Sequence, residues 1–191
     1  MGLMTVHSSQ SETQLLFEIV PMLLEEQIFA RHVGKKILLD SNLLLVLLAG
    51  RFDSRLFGRF GRIDAYSIED YELLERLVSK FSILFTTPHI LTEVGNLANK
   101  LSEQWREDWL RNTAAFVSSL NCKPEFDECW TPAKQLVLTP EFLAFGLADA
   151  SLAQLSDHAL IVTDDFRLSG VLRRKGVSIL NYRDLRNVQR D

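Results

Sequence analysis

Two cysteines in a chain of 191 residues are too few for a disulfide scaffold. Cys122 and Cys129 fit a reducing compartment. As zinc ligands they lack partners at matching spacing, because His7, His32, His89 and His158 are scattered. An export signal is also lacking: the apolar residues from Leu15 to Leu24 contain Glu18 and Pro21 and follow a polar start without clustered positive charge. The leucine run "LLLVLLAG" falls well short of the roughly 20 apolar residues that cross a bilayer. No repeat or low-complexity tract occurs, and the net charge is only -4. These features point away from a membrane-embedded protein, a disordered one and a disulfide-stapled one. What is there, a 47% hydrophobic content, suits a globular domain with a sizeable core, expected in the cytoplasm.

Periodicity divides the chain into an N-terminal helical extension, residues 1–34, and a main domain, residues 35–191. An amphipathic helix is expected from Ser11 to His32, with Leu15, Ile19, Met22 and Leu23 near one face and a break or kink at Pro21. Lys36 to Asp40 reads as a short buried strand, and the leucine run after it as a helix ending at Gly50. Ser67 and Asp70 start a helix through Val78 in the manner of a capping box. "FSILF" is a second strand, and Thr87-Pro88 opens a helix carrying Glu93 and Asn96. A helix with Trp105 and Trp109 follows, and the aperiodic stretch from Asn121 to Lys134 reads as a loop. Helices begin at Thr139-Pro140-Glu141 and after Gly146. "ALIVT" is a third strand, Asp165 to Arg174 a helix, and "GVSIL" a fourth strand. Alternation of this kind implies an α/β fold with a parallel sheet of about four strands and helices on both faces.

One position resists a packing explanation. In "ILLDSNLLLVLLAG" an ionisable Asp40 interrupts an apolar stretch, and an unpartnered buried carboxylate costs several kcal/mol. Ligands in open α/β sheets gather beyond the C-terminal strand ends. Asp40 ends the first strand there, and Asp164 and Asp165 follow the third. Asp149 lies near the start of the helix before that strand, and Glu93 near the start of the helix after the second. Four of the five have an ordinary alternative: Asp40, Asp164 and Asp165 could cap helices, and Glu93 could be an exposed helix residue, whereas Asp149 stands in a helix of small, apolar residues. As a set they converge, and converging carboxylates repel unless a cation holds them. A hard divalent ion such as Mg²⁺ takes such oxygen ligands.

The motifs "LLDSNLLL", "TPHILTEVGNL", "LADASLA" and "IVTDDFRL", followed by the closing "GVSILNYRDL", resemble the PIN-domain family of metal-dependent ribonucleases over about Lys36 to Leu185. The resemblance implies a three-layer α/β/α domain. It matches Asp40, Glu93 and Asp149 to the first three acidic positions and Asp165, two residues after Thr163, to the fourth, with Asp164 the adjacent alternative. Ser41 and Thr163 would contribute hydroxyls to the site. The implied chemistry is hydrolysis of RNA phosphodiesters with one or two Mg²⁺ or Mn²⁺ ions. The implied partners are an RNA substrate and, in a toxin–antitoxin setting, a small antitoxin protein; a homodimer is compatible with the class. The chain is longer than the family's small toxin nucleases.

"RFDSRLFGRFGR" spaces Arg51, Arg55, Arg59 and Arg62 at helical intervals among phenylalanines, a pattern suited to phosphates and unpaired bases or to a solvated face over a core. Two other functions compete. A haloacid-dehalogenase-type phosphatase needs a second Asp two residues after the first, where Asn42 stands. A non-catalytic module would bind metal or RNA through the same carboxylates without cutting.

Overall fold

The four expected strands are present, and a fifth joins them. A computed structural model describes residues 25–58, 61, 63–118 and 123–190. Strands β1 (Lys36–Leu39), β2 (Ile83–Thr86), β3 (Glu125–Glu128), β4 (Leu160–Thr163) and β5 (Ile179–Asn181) form one sheet in the order β3-β2-β1-β4-β5. Every pairing is parallel, with Leu38 opposite Phe85 on one side and Ile161 on the other. The central strands β1, β2 and β4 are apolar except for Lys36 at the start of β1 and the threonines Thr86 and Thr163 that end β2 and β4, because both of their faces are covered. β3 lies in the stretch expected to be a loop. Its sequence, Glu-Phe-Asp-Glu, has the polarity of an edge strand, which needs only one partner and keeps charge toward solvent.

Helices flank the sheet, as expected of a three-layer α/β/α fold. Residues 25–32 form α1. Then come α2 (Ser41–Phe52), α3 (Ile68–Val78), α4 (Pro88–Ala98), α5 (Glu103–Ser118), α6 (Ala133–Leu136), α7 (Pro140–Phe145), α8 (Leu147–Gln154), α9 (Phe166–Arg174) and α10 (Tyr182–Arg190). The leucine helix α2 is buried continuously from Leu43 to Ala49, packed among α3, α4, α5 and the sheet, which is why it shows no polar face. Ser67 and Asp70 cap α3 reciprocally as expected, and Thr87 caps α4 ahead of Pro88. Helix α10 was not anticipated. None of the described helices is long and apolar enough to cross a membrane.

One helix boundary differs from expectation for a tertiary reason. Helix α2 does not stop at Gly50 but runs to Phe52, and Gly50 is there because the ring of Tyr71 lies against it. A Cβ on Gly50 would sit 2.2 Å from the ring, so Gly50→Ala should destabilise the fold by about 1–3 kcal/mol despite its better helix propensity. Denaturant unfolding checks this; an alanine variant as stable as the parent would mean that Tyr71 yields freely. Residues 25–34, the described part of the expected N-terminal extension, pack on the main domain. Phe29 packs edge-on against Phe81 at 5.8 Å, Glu25 pairs with Arg173 at 2.5 Å, and Gly34 donates to the Lys80 carbonyl. The rest of the expected N-terminal helix, from Ser11 through Leu24 with its Pro21 kink, lies outside the described residues.

Candidate active site

The strand order reverses at β1: the chain moves from β1 to β2 and β3, then returns to the opposite side of β1 as β4. The crevice beyond the C-terminal ends of β1 and β4 is therefore the topological switch point. Asp40 stands at its floor, only 3% exposed. Its Oδ1 accepts from the Leu43 N–H at 2.7 Å, so Asp40 does cap α2. Its Oδ2 accepts from the Thr163 hydroxyl at 2.5 Å and the Asp164 N–H at 3.0 Å, joining the ends of β1 and β4. The capping and site roles of Asp40 are thus compatible. Burial outweighs these hydrogen bonds and pushes the carboxyl up to about 6.

The other acids are attached to this floor in turn. Ser41, next to Asp40, donates to Glu93 on α4 at 2.8 Å. Helix α8 is joined to the start of α4 by a 2.7 Å hydrogen bond between the Thr87 and Ser151 hydroxyls, which fixes Asp149 in the first turn of α8. No described residue hydrogen-bonds to the half-buried Asp149 carboxylate. Its pKa is pushed up to about 7, first by burial and then by the charges of Asp40, Glu93 and Asp165. Asp165 is exposed and caps α9 through the Arg167 and Leu168 N–H groups, while its own N–H donates to Thr163. The hydroxyls of Ser41 and Thr163 are buried and donate to Glu93 and Asp40.

Adjacent Asp164 turns elsewhere. Its Oδ2 accepts from the Tyr66 hydroxyl at 2.9 Å and lies 3.7 Å from Arg186, and its Oδ1 lies 3.9 Å from Arg183. Arg186 also grips Asp70 with two hydrogen bonds, fastening α10 to the start of α3. Of the two neighbouring acids, Asp165 is the one whose charge bears on Asp149. Sequence reasoning missed Tyr66, Arg183 and Arg186, which lie far from Asp164 or in an unexpected helix; no local pattern marks them.

Of the arginine segment, Arg51 sits apart from Asp40 and Ser41. Arg51 is ten residues beyond Ser41 on α2, about 15 Å along the axis. It forms a bidentate pair with Glu75, both bonds 2.7 Å, and Arg55 is paired with Asp53. Both arginines lie over aromatic rings, Arg51 over Phe116 and Arg55 over Trp105. Existing carboxylate partners reduce what either can offer a phosphate. Arg59 and Arg62 lie outside the described residues.

The donor chemistry is of the kind a hard divalent cation takes: side-chain oxygens only, with one half-buried carboxylate, Asp149, to which no described residue hydrogen-bonds. As the side chains stand, the described residues contain no group of three or more His, Cys, Asp or Glu arranged to hold a metal ion. Asp40 and Asp165 are turned onto main-chain donors instead. No family model, curated protein or solved structure matches the chain. The chemistry of these residues is therefore the basis for assigning a function.

The raised carboxylates have a consequence for stability. Asp149 and Asp40 titrate near 7 and 6 in the native state, against an ordinary value of 3.8. Between these limits the native chain binds more protons than the unfolded one, so stability falls as pH rises. Without divalent cations, raising the pH from about 5 to 8 should lower stability by about 2–4 kcal/mol, roughly 4–16 °C in melting temperature. Mn²⁺ at the upper pH should recover part of this. A thermal melt across pH checks it; a melting temperature that rises over this window, and does so equally in Asp149→Asn, would show that the two carboxyls do not govern it.

Proposed function

We propose that the chain is a Mg²⁺- or Mn²⁺-dependent endoribonuclease of the PIN type, built on a three-layer α/β/α domain. The observation that carries this reading is the placement of Asp40 and Asp165 at the C-terminal ends of β1 and β4, the switch point of the sheet, with the half-buried Asp149, to which no described residue hydrogen-bonds, in the first turn of the helix that leads into β4. Repulsion concentrated on one half-buried group is costly for a fold, and a cation relieves it. Asp149 and Asp165 would be the ligands most free to turn toward such an ion, with Asp40 offering an edge of its carboxylate from the floor. A divalent ion bound there supplies the positive charge that makes water a nucleophile at neutral pH and stabilises the leaving oxygen of an in-line displacement.

The remaining groups have positioning roles. Thr163 fixes Asp40 and the Asp165 main chain with a single hydroxyl, coupling the floor of the site to its exposed acid. Ser41 holds Glu93 toward the crevice, where it can orient a ligand or water. A second reading, a module that binds RNA without cutting it, is favoured by the three hydrogen bonds that already occupy Asp40.

Sequencing RNA ends after induced expression separates the two. An endonuclease creates new internal ends that disappear in the Asp149→Asn variant. A non-catalytic module leaves the ends unchanged while RNA copurifies with the protein. The neighbouring genes then bear on the partner, since a small antitoxin gene beside this one would favour the toxin–antitoxin setting over RNA processing.

A further inference from the structure

We propose that Phe166 and Arg183 form the rim of the acidic crevice and hold unpaired RNA, a base on Phe166 and a phosphate on Arg183. This rests on the nuclease assignment and adds two residues that would contact the strand. Both residues are tied to the dipeptide Asp164-Asp165. Phe166 is the first residue of α9, next to Asp165, and is 70% exposed. Single exposed apolar side chains are common on protein surfaces. This one is set apart by its fixed base: the preceding Asp165 is anchored through both its carboxylate and its N–H, so the backbone at Phe166 is held while the ring faces solvent.

Arg183 begins the other flanking helix, α10, just beyond the end of β5. Its main-chain N–H donates to Asn181 at 2.9 Å, and Asn181 donates to Ser169 at 2.9 Å, so this side chain also starts from a fixed point. The guanidinium is 3.9 Å from Asp164 Oδ1 and the side chain is 61% exposed. Among the described residues it hydrogen-bonds to no carboxylate, whereas Arg51, Arg55 and Arg186 each do. Its forked donors suit a phosphate. A base within a duplex has both faces covered by its neighbours, so an aromatic platform selects strands whose bases can splay out.

Fluorescence anisotropy with a labelled short unpaired RNA in EDTA tests the rim without requiring metal or turnover. Phe166→Ala should weaken binding about tenfold and Phe166→Trp should retain it. Arg183→Gln should reduce the slope of log Kd against log salt by about 0.7, the share of one single-strand phosphate contact. The same sequence as a duplex should bind more weakly and be insensitive to Phe166. If the parent cleaves the strand in Mn²⁺ and both variants bind as it does, the rim assignment is overturned and the nuclease assignment stands. If the parent neither binds nor cleaves the strand, both are overturned. If Phe166→Ala leaves RNA binding intact and converts a dimer to a monomer in sedimentation, the rim is instead a contact between copies.

Discussion

Asp149→Asn should abolish metal-dependent RNA cleavage and, at the same time, raise the melting temperature of the metal-free protein. The two effects have one cause. Asp149 lies in the first turn of α8 between buried Ala148 and Ala150, none of the described residues hydrogen-bonds to its carboxylate, and burial, followed by the charges of three other carboxylates, raises its pKa. Replacing it with an amide breaks no native hydrogen bond and removes the charge on which the repulsion bears. At pH 8, where the parent's Asp149 is ionised, stability should rise by about 1–2 kcal/mol. At pH 5 the parent's carboxyl is already protonated and the gain should vanish. Loss of a cation ligand removes several kcal/mol of transition-state stabilisation, so the cleavage rate should fall by roughly a hundredfold or more. Thermal melts at the two pH values and cleavage in Mn²⁺ check both halves. A variant that is less stable than the parent at pH 8 would show that Asp149 has a stabilising partner.

Asp40→Asn should also lose cleavage, with the opposite sign in stability. Three donors converge on this carboxylate: the N–H groups of Leu43 and Asp164 and the Thr163 hydroxyl. An amide offers one oxygen and one NH₂ group. Whichever way it is turned, its nitrogen faces a main-chain N–H that cannot accept. The unsatisfied donor costs about 1–3 kcal/mol, and relief of the buried charge offsets part of this. The expected net loss is about 1–2 kcal/mol, or roughly 2–8 °C. Asp40 thus has a structural role that Asp149 lacks, so lost activity in Asp40→Asn is informative only beside a folding control. An Asp40→Asn protein that melts above the parent would place these donors elsewhere in solution.

The contrast between these residues shows what could be read from the chain and what could not. Asp40 and Thr163 were legible because apolar strands ending in polar residues mark the C-terminal edge of a parallel sheet, and local caps such as Thr87-Pro88 and Ser67 with Asp70 locate helix starts. Strand β3 was not legible. Its pairing with β2 is a long-range event, and Glu-Phe-Asp-Glu carries no apolar period. Gly50 resembled a helix terminator because the ring that requires it, Tyr71, comes from another helix. The choice between Asp164 and Asp165 depends on Tyr66 and Arg186, which are distant in sequence. The arginines at 51 and 55 gave the right residue type for phosphate binding, but Glu75 and Asp53 hold them. Local chemistry therefore showed where the acids fall, while charge pairing, which depends on the assembled helices, was hidden.

The central claim is that the acids at the end of β1, on α8 and before α9 form one cation-dependent hydrolytic site. Its most direct measurement is single-turnover cleavage of an end-labelled unpaired RNA by the parent protein and by Asp149→Asn, each in Mn²⁺ and in EDTA. The account predicts discrete internal cuts only for the parent and only in Mn²⁺. Equal cleavage by Asp149→Asn, or cleavage by the parent that persists in EDTA, would contradict it.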